Sequence, residues 1–269
     1  MSSYNIILIG CGNMGSTLLE SWYDSKLIHK TQICDPNDQL SGIEDKNEVF
    51  HVKHFTELDF SDVDICILAV KPQIMESVCN DLNQYCDGSF AVLSIAAGKP
   101  ISFFEKSLGS NLPIIRAMPN TPAMVQKGFT ALIGNSHVTK AQKQCASDLF
   151  AASGKIDWIE GERLMDVVTA LSGSGPAYLF HFIEALTQAG IENGLNTDIA
   201  AKMARQTIIG ASALADSQNY VSPETLRENV TSKGGTTQAG LEILMDGRFQ
   251  EILNETIAAA KKRSEELAD

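Results

Sequence analysis

"YNIILIGCGNMGSTLLESWYDS", residues 4–25, holds the strongest structural signal in this 269-residue chain. Its first seven residues form a nearly continuous apolar run that ends in glycine, which is typical of a strand covered on both faces of a sheet. Residues 16–25 then carry apolar side chains at helical spacing. The stretch therefore predicts a strand, a glycine-rich turn and a helix in direct succession.

The turn "GCGNMG" matches the pattern G-x-G-x-x-G of dinucleotide-binding proteins. In that pattern Gly10 permits the tight turn, Gly12 lets the backbone approach a pyrophosphate, and Gly15 allows close helix packing. The helix then presents unpaired N–H groups to the phosphates. Such a turn also arises by chance in α/β proteins that bind no nucleotide. Asp35, an acid at the end of the second predicted strand, favours a Rossmann-type nicotinamide dinucleotide site over that alternative.

The rest of the first half alternates apolar strand-like runs with helical patterns. Strands are predicted at 31–35, 63–72, 90–98, 113–118 and 129–135, the last of the domain, and helices at 72–85, 101–109 and 140–154. This alternation predicts an open parallel sheet with helices on both faces, an α/β dinucleotide-binding domain covering residues 1–160.

The second half carries helical patterns only, and residues 161–269 are predicted to form an all-helical substrate-binding and dimerisation domain. Its helices are expected at 176–194, 198–217, 222–230, 237–244 and 249–268. The first of these is apolar nearly all round, so it must be buried, and a small helical domain offers too few neighbours to bury it. We therefore expect residues 176–191 and 207–215 to meet a second copy of the chain.

Composition excludes several classes of function. A formal net charge of −12 argues against a nucleic-acid surface, which needs clustered Lys and Arg. No apolar run approaches the roughly 20 residues of a membrane helix, and the start "MSSYN" lacks the basic region of a signal peptide. The six cysteines show no C-x-x-C pair and no metal-ligand spacing. We expect a cytoplasmic protein with reduced thiols and no metal site.

Further candidate cofactor contacts follow the ends of other predicted strands, where ligands of such sheets bind. Lys71 of "AVKP" can reach a ribose or the nicotinamide, or it is a solvated residue before a turn-forming proline. "RAMPNTPA" (116–123) is a rigid polar loop at another strand end. The full set of candidate cofactor-binding residues is Gly10, Cys11, Gly12, Asn13, Met14, Gly15, Asp35, Ala69, Val70, Lys71, Pro72, Ala96, Ala97, Gly98 and Asn120.

Six motifs together resemble the pyrroline-5-carboxylate reductase family. They are "GCGNMG", "AVKP", "SIAAG", "RAMPNTPA", "ALSGSGPAY" and "SKGGTTQAG", in the order and spacing typical of that family and across almost the whole chain. The resemblance implies reduction of 1-pyrroline-5-carboxylate to L-proline with NADH or NADPH, the last step of proline biosynthesis. It also implies a homodimer of interlocked helical domains, often assembled into a higher ring such as a decamer.

The resemblance assigns the loop "SKGGTTQAGLEIL" (232–244) to the substrate. The implied substrate-binding residues are Ser232, Gly234, Gly235, Thr236 and Thr237. The glycines free the backbone to place N–H groups around the substrate carboxylate at a helix N-terminus, and by resemblance Thr237 offers its hydroxyl to the ring nitrogen as the candidate catalytic residue. In the alternative, Ser232 or Thr236 merely caps the helix. The family usually has proline after the serine, whereas this chain has Lys233.

The chemistry leaves two other functions open. One is reduction of another small keto or imino acid on the same fold. Hydroxy-acid dehydrogenases with a G-x-G-x-x-x-K turn place a lysine beside the carbonyl, and Leu179 occupies that position here. An iminium becomes neutral on reduction, so it needs no such acid, and the five histidines form no acid/base constellation. The other is a nucleotide sensor without turnover, which an intact substrate loop argues against.

The cofactor's identity depends on Asp35. A carboxylate at the end of the second strand accepts hydrogen bonds from a ribose 2′-hydroxyl, and it repels the 2′-phosphate of NADPH. Asp38 follows, and no basic residue occurs before Lys46. The sequence therefore favours NADH, unless Asp35 turns outward as a surface residue before Pro36.

Overall fold

The computed structural model describes residues 3–37 and 48–268, which form two compact units. One unit contains the described residues up to Ser174 together with those from Ala260 onward. The other unit is Gly175–Ala259. The chain thus leaves its first unit later than the sequence-predicted boundary near residue 160.

The first unit contains one sheet of eight strands in the order β3-β2-β1-β4-β5-β6-β7-β8 among the described residues. The strands are β1 (Tyr4–Ile9), β2 (Ile28–Cys34), β3 (Val49–Val52), β4 (Ile65–Leu68), β5 (Ala91–Ser94), β6 (Ile114–Met118), β7 (Gly128–Gly134) and β8 (Gly154–Trp158). The α/β dinucleotide-binding fold is confirmed. Strand order reverses at β1, which sits between β2 and β4 and carries the glycine-rich turn at its carboxyl end.

Three features of the sheet differ from the prediction. β7 runs antiparallel to β6, because residues 119–127 are too few for the crossover of a dozen or more residues that a parallel pair requires. The four-residue edge strand β3 was missed, and residues 129–135 are not the last strand. β8 follows, and its alternation of half-buried and exposed residues extends over only five positions. Gly154, predicted to end a helix, instead begins β8.

The predicted helices form close to their expected bounds, whereas the helical segment over residues 164–173 was not predicted. The first unit contains α1 (Asn13–Asp24), α2 (Met75–Asn83), α3 (Ile101–Leu108), α4 (Lys140–Ala151) and α5 (Leu164–Val168), and a π-helical turn, Thr169–Gly173, follows α5. The second unit contains α6 (Gly175–Glu192), α7 (Thr197–Ser217), α8 (Pro223–Asn229) and α9 (Thr236–Leu244). α10 (Arg248–Ala268) begins in the second unit and ends in the first.

Alternating residues of β1 explain the apolar run that begins the chain. Ile6 and Leu8 belong to one core cluster, whereas Ile7 and Ile9 belong to another. Because successive side chains of a strand point to opposite faces, each face of the sheet has its own core. Trp22 of α1 fills the first cluster and donates its indole N–H to the Leu149 carbonyl at 2.9 Å.

The second unit leaves a broad apolar surface exposed. No residue of α6 is buried, and Phe180 is 61% exposed. A groove of about 700 Å³ is lined by α6, α7 and α10, and it includes Phe182 and Ile252. Contiguous exposed apolar surface of this kind marks interaction sites. Across residues 3–37 and 48–268, no helix combines the length and apolar character that crossing a membrane requires.

Candidate active site

The glycine-rich turn between β1 and α1 has a separate geometric reason for each of its three glycines. Gly10 adopts φ +86°, which L side chains rarely adopt. A Cβ on Gly15 would lie 2.7 Å from the Gly10 carbonyl oxygen, whereas a Cβ on Gly12 would meet nothing within 4 Å. The backbone is therefore packed tightly at Gly10 and Gly15, and Gly12 presents an open face that a ligand can approach.

The first turn of α1 offers donors to an anion. Gly12 is the N-cap residue, and no side chain caps the helix. The first bond into the helix joins Ser16 N–H to the Gly12 carbonyl at 2.9 Å. Among the described residues, the N–H groups of Asn13, Met14 and Gly15 therefore have no acceptor. A helix N-terminus with three open amides and an open Gly12 face fits the pyrophosphate of a dinucleotide.

Asp35 faces this turn and is only 6% exposed. Its Oδ2 accepts the Cys11 N–H at 2.7 Å, and its Oδ1 accepts the Asn37 backbone N–H at 2.9 Å. The alternative in which Asp35 turns outward to the surface is therefore wrong. Asp38 and Lys46, which the sequence analysis also considered for cofactor preference, lie outside the described residues. The carboxylate occupies the place at the end of β2 from which a ribose hydroxyl is usually bound.

The loop after β4 joins the same cluster. A Cβ on Gly10 would lie 2.7 Å from the Val70 side chain and 2.9 Å from the Ala69 carbonyl oxygen. Ala69 N–H also donates to the Ile9 carbonyl at 2.8 Å. Lys71 is exposed and precedes Pro72, which begins a short 3-10 helix. The structure thus brings "GCGNMG", Asp35 and "AVKP" together at the carboxyl ends of β1, β2 and β4.

The loop after β5 is more enclosed than the sequence indicates. Gly98 is buried with φ +72°, and a Cβ there would lie 3.0 Å from the Leu267 carbonyl oxygen in the last turn of α10. That turn is held by Ser264, whose hydroxyl donates to Asp166 at 2.7 Å. Gly98 therefore accommodates α10, whereas Ala96 and Ala97 precede it at the strand end.

Both ends of the Asn120 side-chain amide form hydrogen bonds within the protein. Its amide nitrogen donates to the Ser172 carbonyl at 3.2 Å and lies 3.1 Å from the Ser172 hydroxyl. Its Oδ1 accepts the Phe129 N–H at 2.9 Å. The side chain thus ties the "RAMPNTPA" loop to the π-helical turn of "ALSGSGPAY". The sequence prediction missed Ser172, and the two motifs themselves were the only signal of the link.

A second link that the sequence prediction missed lies beside this loop. Arg116 of β6 forms an ion pair with Glu162, and its side chain is only 11% exposed. The same Glu162 oxygen accepts the Ile101 N–H at 2.7 Å, at the start of α3. The carboxylate therefore fixes β6 and α3 relative to each other.

The candidate substrate loop, residues 232–244, lies in the second unit. Gly235 is the N-cap residue of α9, and no side chain caps the helix, so the alternative in which Ser232 or Thr236 is the cap is wrong. The first bond into α9 joins Ala239 N–H to the Gly235 carbonyl at 3.2 Å. Among the described residues, the N–H groups of Thr236 and Thr237 have no acceptor, and neither does that of Gln238. The loop thus ends in an open, exposed helix N-terminus.

The remaining candidate groups carry no acid/base machinery. His181 is exposed and lies 3.2 Å from Glu184, and Leu179 is an exposed apolar residue of α6. Within the part of the chain that the structure describes, no three His, Cys, Asp or Glu side chains cluster as metal ligands. All six cysteines are thiols. Burial raises the pKa of Cys34 to about 11 and that of Cys79 to about 12, so these two are inert core residues.

Comparisons with known proteins agree with this geometry. Residues 162–267 match the family model described as pyrroline-5-carboxylate reductase dimerisation. Residues 5–98 match the model described as NADP oxidoreductase, coenzyme F420-dependent.

Individual relatives match the chain over its whole length. Pyrroline-5-carboxylate reductase of Pseudomonas aeruginosa is 37% identical over 272 residues, covering 100% of this chain and 98% of the relative. The solved structure of pyrroline-5-carboxylate reductase from Coxiella burnetii is 33% identical with a TM-score of 0.92, and that from Plasmodium falciparum, with NADP bound, is 31% identical with a TM-score of 0.83. Both structural matches cover 100% of each chain. The chain belongs to the pyrroline-5-carboxylate reductase family of oxidoreductases.

Proposed function

We propose that this chain reduces 1-pyrroline-5-carboxylate to L-proline by hydride transfer from a reduced nicotinamide dinucleotide, the final step of proline biosynthesis. The observation that carries the proposal is the open N-terminus of α9 after "SKGG", in a chain whose full-length relatives bear this name. The relatives supply the reaction, and the loop supplies the means of holding a small carboxylate.

The first unit holds the dinucleotide. The open amides of α1 and the open face of Gly12 receive the pyrophosphate, and the neighbouring loop 69–72 lines the path toward the nicotinamide. When bound, the reduced nicotinamide supplies the hydride. Ala96 and Ala97, which follow the carboxyl end of β5, contact the cofactor in this proposal. Asn120 acts by holding its loop in place.

The substrate loop holds the carboxylate through backbone donors. The helix dipole and the amides of Thr236 and Thr237 favour an anion at the start of α9. The Thr237 hydroxyl has no protein partner among the described residues, so it is available to hydrogen-bond the ring nitrogen. Ser232 and the two glycines shape the turn in front of these donors.

This arrangement suits an imine better than a ketone. Hydride addition to a ketone generates an alkoxide, which needs a proton donor, whereas a protonated imine becomes a neutral amine. Leu179 offers no proton at the position where related dehydrogenases carry lysine. Orientation of the ring against the nicotinamide and exclusion of water then supply much of the rate acceleration.

The helical residues from 161 onward support assembly as well as substrate binding. The match to a dimerisation model supports a homo-oligomer, and in this proposal a second copy covers the exposed apolar faces of α6, α7 and α10. Resemblance to the family extends the proposal to a ring such as a decamer. Six reduced thiols support a cytoplasmic location.

A substrate panel tests the proposed reaction. With the reduced cofactor monitored by absorbance, 1-pyrroline-5-carboxylate is expected to be turned over and small α-keto acids are not, because Leu179 cannot protonate an alkoxide. Consumption with keto acids alone would favour the alternative reductase. Tight cofactor binding without consumption on any substrate would identify a nucleotide sensor.

The proposal extends to cofactor preference, with NADH favoured over NADPH. Asp35 is anchored toward the glycine-rich turn by Cys11 and Asn37, so its carboxylate stays where a 2′-substituent of the ribose arrives. It can accept a hydrogen bond from a 2′-hydroxyl. Against a 2′-phosphate, like charges about 4 Å apart cost about 1 kcal/mol even in water.

Steady-state kinetics with both cofactors test this preference. The unmodified chain is expected to show a higher kcat/KM with NADH, by about fivefold if the repulsion is about 1 kcal/mol. Asp35→Ser is expected to narrow or reverse the difference, chiefly by lowering the KM for NADPH.

Asp35→Asn serves as the matched variant because it removes the charge while keeping an acceptor for the Cys11 N–H. It should shift the preference in the same direction with an unchanged melting temperature. A clear NADPH preference in the unmodified chain would show that Asp35 does not select the ribose.

A further inference from the structure

The turn before α9 has a defined type. Gly235 N–H donates to the Ser232 carbonyl at 3.0 Å, and Gly234, at the third position, has φ +71° while Lys233 has no positive φ. These values match a type II β-turn over residues 232–235, which favours glycine at its third position. A Cβ on Gly235 would overlap the Ser232 hydroxyl and lie 3.1 Å from the Ser232 carbonyl oxygen, so a larger residue at the fourth position would displace the Ser232 side chain.

A type II turn satisfies only the N–H of its fourth residue, so the Gly234 N–H is free to donate to another acceptor. Gln238 supplies it, because its Oε1 accepts the Gly234 N–H at 2.7 Å. The other end of the same side chain donates to Glu242 Oε1 at 3.1 Å, one turn further along α9. Gln238 is thus fixed at both ends and ties the turn to the helix that follows it.

Position 233 explains why this tie matters in this chain. Proline is favoured at the second position of a type II turn because its ring fixes φ near −65° in advance. Lys233 stands there instead, and because it has no ring to fix φ, the backbone at this position has more conformations available in the unbound state.

We propose that Gln238 is a positioning residue: it holds the turn 232–235 in the shape that presents the α9 amides to the substrate carboxylate, in place of the rigidity that a proline at 233 would supply. The inference rests on the proposed function for the identity of the ligand. It concerns the substrate loop alone, since both hydrogen bonds of the Gln238 side chain stay within residues 234–242.

Gln238→Met tests the inference, because methionine keeps the length and helix propensity of glutamine but neither hydrogen bond. KM for 1-pyrroline-5-carboxylate is expected to rise about three- to tenfold, the range for one lost hydrogen bond. kcat and the KM for NADH should change little, because carboxylate binding is shared by ground and transition states. Gln144→Met is the matched control, since Gln144 makes the same (i, i+4) bond, to Asp148, but braces no turn.

A double-mutant cycle separates bracing from other effects. In a Lys233→Pro background the turn is preset, so Gln238→Met should raise the substrate KM less than about twofold. Lys233→Ala removes the charge without adding rigidity, and in that background the full effect of Gln238→Met should persist. An equal effect of Gln238→Met in all three backgrounds would overturn the inference.

Amide hydrogen exchange gives a readout without any substrate. Exchange at Gly234 is expected to accelerate in Gln238→Met and to be restored toward the original rate by Lys233→Pro. Unchanged exchange together with an unchanged substrate KM would overturn the role of Gln238. Failure of the unmodified chain to reduce 1-pyrroline-5-carboxylate would instead reject the proposed function, and the exchange result would still decide the bracing.

Discussion

Gly15→Ala is expected to lower the melting temperature and to abolish measurable cofactor binding. The new Cβ would lie 2.7 Å from the Gly10 carbonyl oxygen and 3.4 Å from Ala69 Cβ. The oxygen belongs to the backbone of the glycine-rich turn itself, so relief of the clash requires α1 or the turn to move. Overpacking of this kind costs about 1–3 kcal/mol, which corresponds to a fall of roughly 3–10 °C in a domain of this size.

Gly12→Ala is the matched control for this prediction. Its Cβ would meet nothing within 4 Å and its φ of −69° suits any residue, so the melting temperature should stay the same. The methyl group would nevertheless stand on the face that the pyrophosphate approaches, and the Kd for NADH should rise at least tenfold. Differential scanning fluorimetry and cofactor titration separate the two outcomes. A stable Gly15→Ala variant that still binds NADH would contradict the packing role of Gly15.

The β1–turn–α1 unit could be predicted from sequence because each of its determinants is local. The apolar run, the three glycines and the helical spacing all lie within residues 4–25, and they need no distant partner to take effect. By contrast, the direction of the Asp35 side chain depends on the Cys11 N–H, which lies 24 residues earlier in the chain. The sequence was therefore compatible with an Asp35 side chain facing the glycine-rich turn or facing solvent. Only the folded chain selects the first orientation.

The missed elements share a different cause. β3 and β8 lie at the two edges of the sheet, where a strand has one neighbour and needs less apolar surface than a central strand. The antiparallel direction of β7 follows from the shortness of the preceding connection, not from the residues of the strand itself. Each of these features depends on position in the sheet, which propensity and periodicity do not encode.

The substrate loop also contains features that its local sequence does not predict, although its key residues lie within ten positions of one another. Ser232 and Thr236 are favourable capping residues by type, yet Gly235 takes the N-cap position. The side chain that organises the loop is Gln238, which looks like an ordinary helix residue in the sequence. Its importance appears only once the Gly234 N–H is seen to lack an acceptor within the turn.

Ile252→Glu is expected to produce a monomer that binds NADH but has lost nearly all activity. Ile252 is 59% exposed in the single chain and lines the apolar groove of the second unit. An unpaired carboxylate enclosed between two apolar helical surfaces costs several kcal/mol, and a twofold interface would contain two of them. Sedimentation velocity at the assay concentration measures the assembly, and NADH titration measures the cofactor site separately.

Gln250→Glu, two residues earlier on α10, is the matched control, because residues two apart do not share a helix face and the substitution adds the same charge. It should remain assembled and active. Loss of turnover with retained NADH binding in Ile252→Glu is the decisive outcome, because every candidate cofactor-binding residue lies in the first unit and Ile252 lies in the second. If assembly places the substrate loop of one copy near the nicotinamide of the other, monomers must lose the reaction while keeping the cofactor. An active monomer would show instead that each chain completes its own site, and the apolar groove would then serve stability alone.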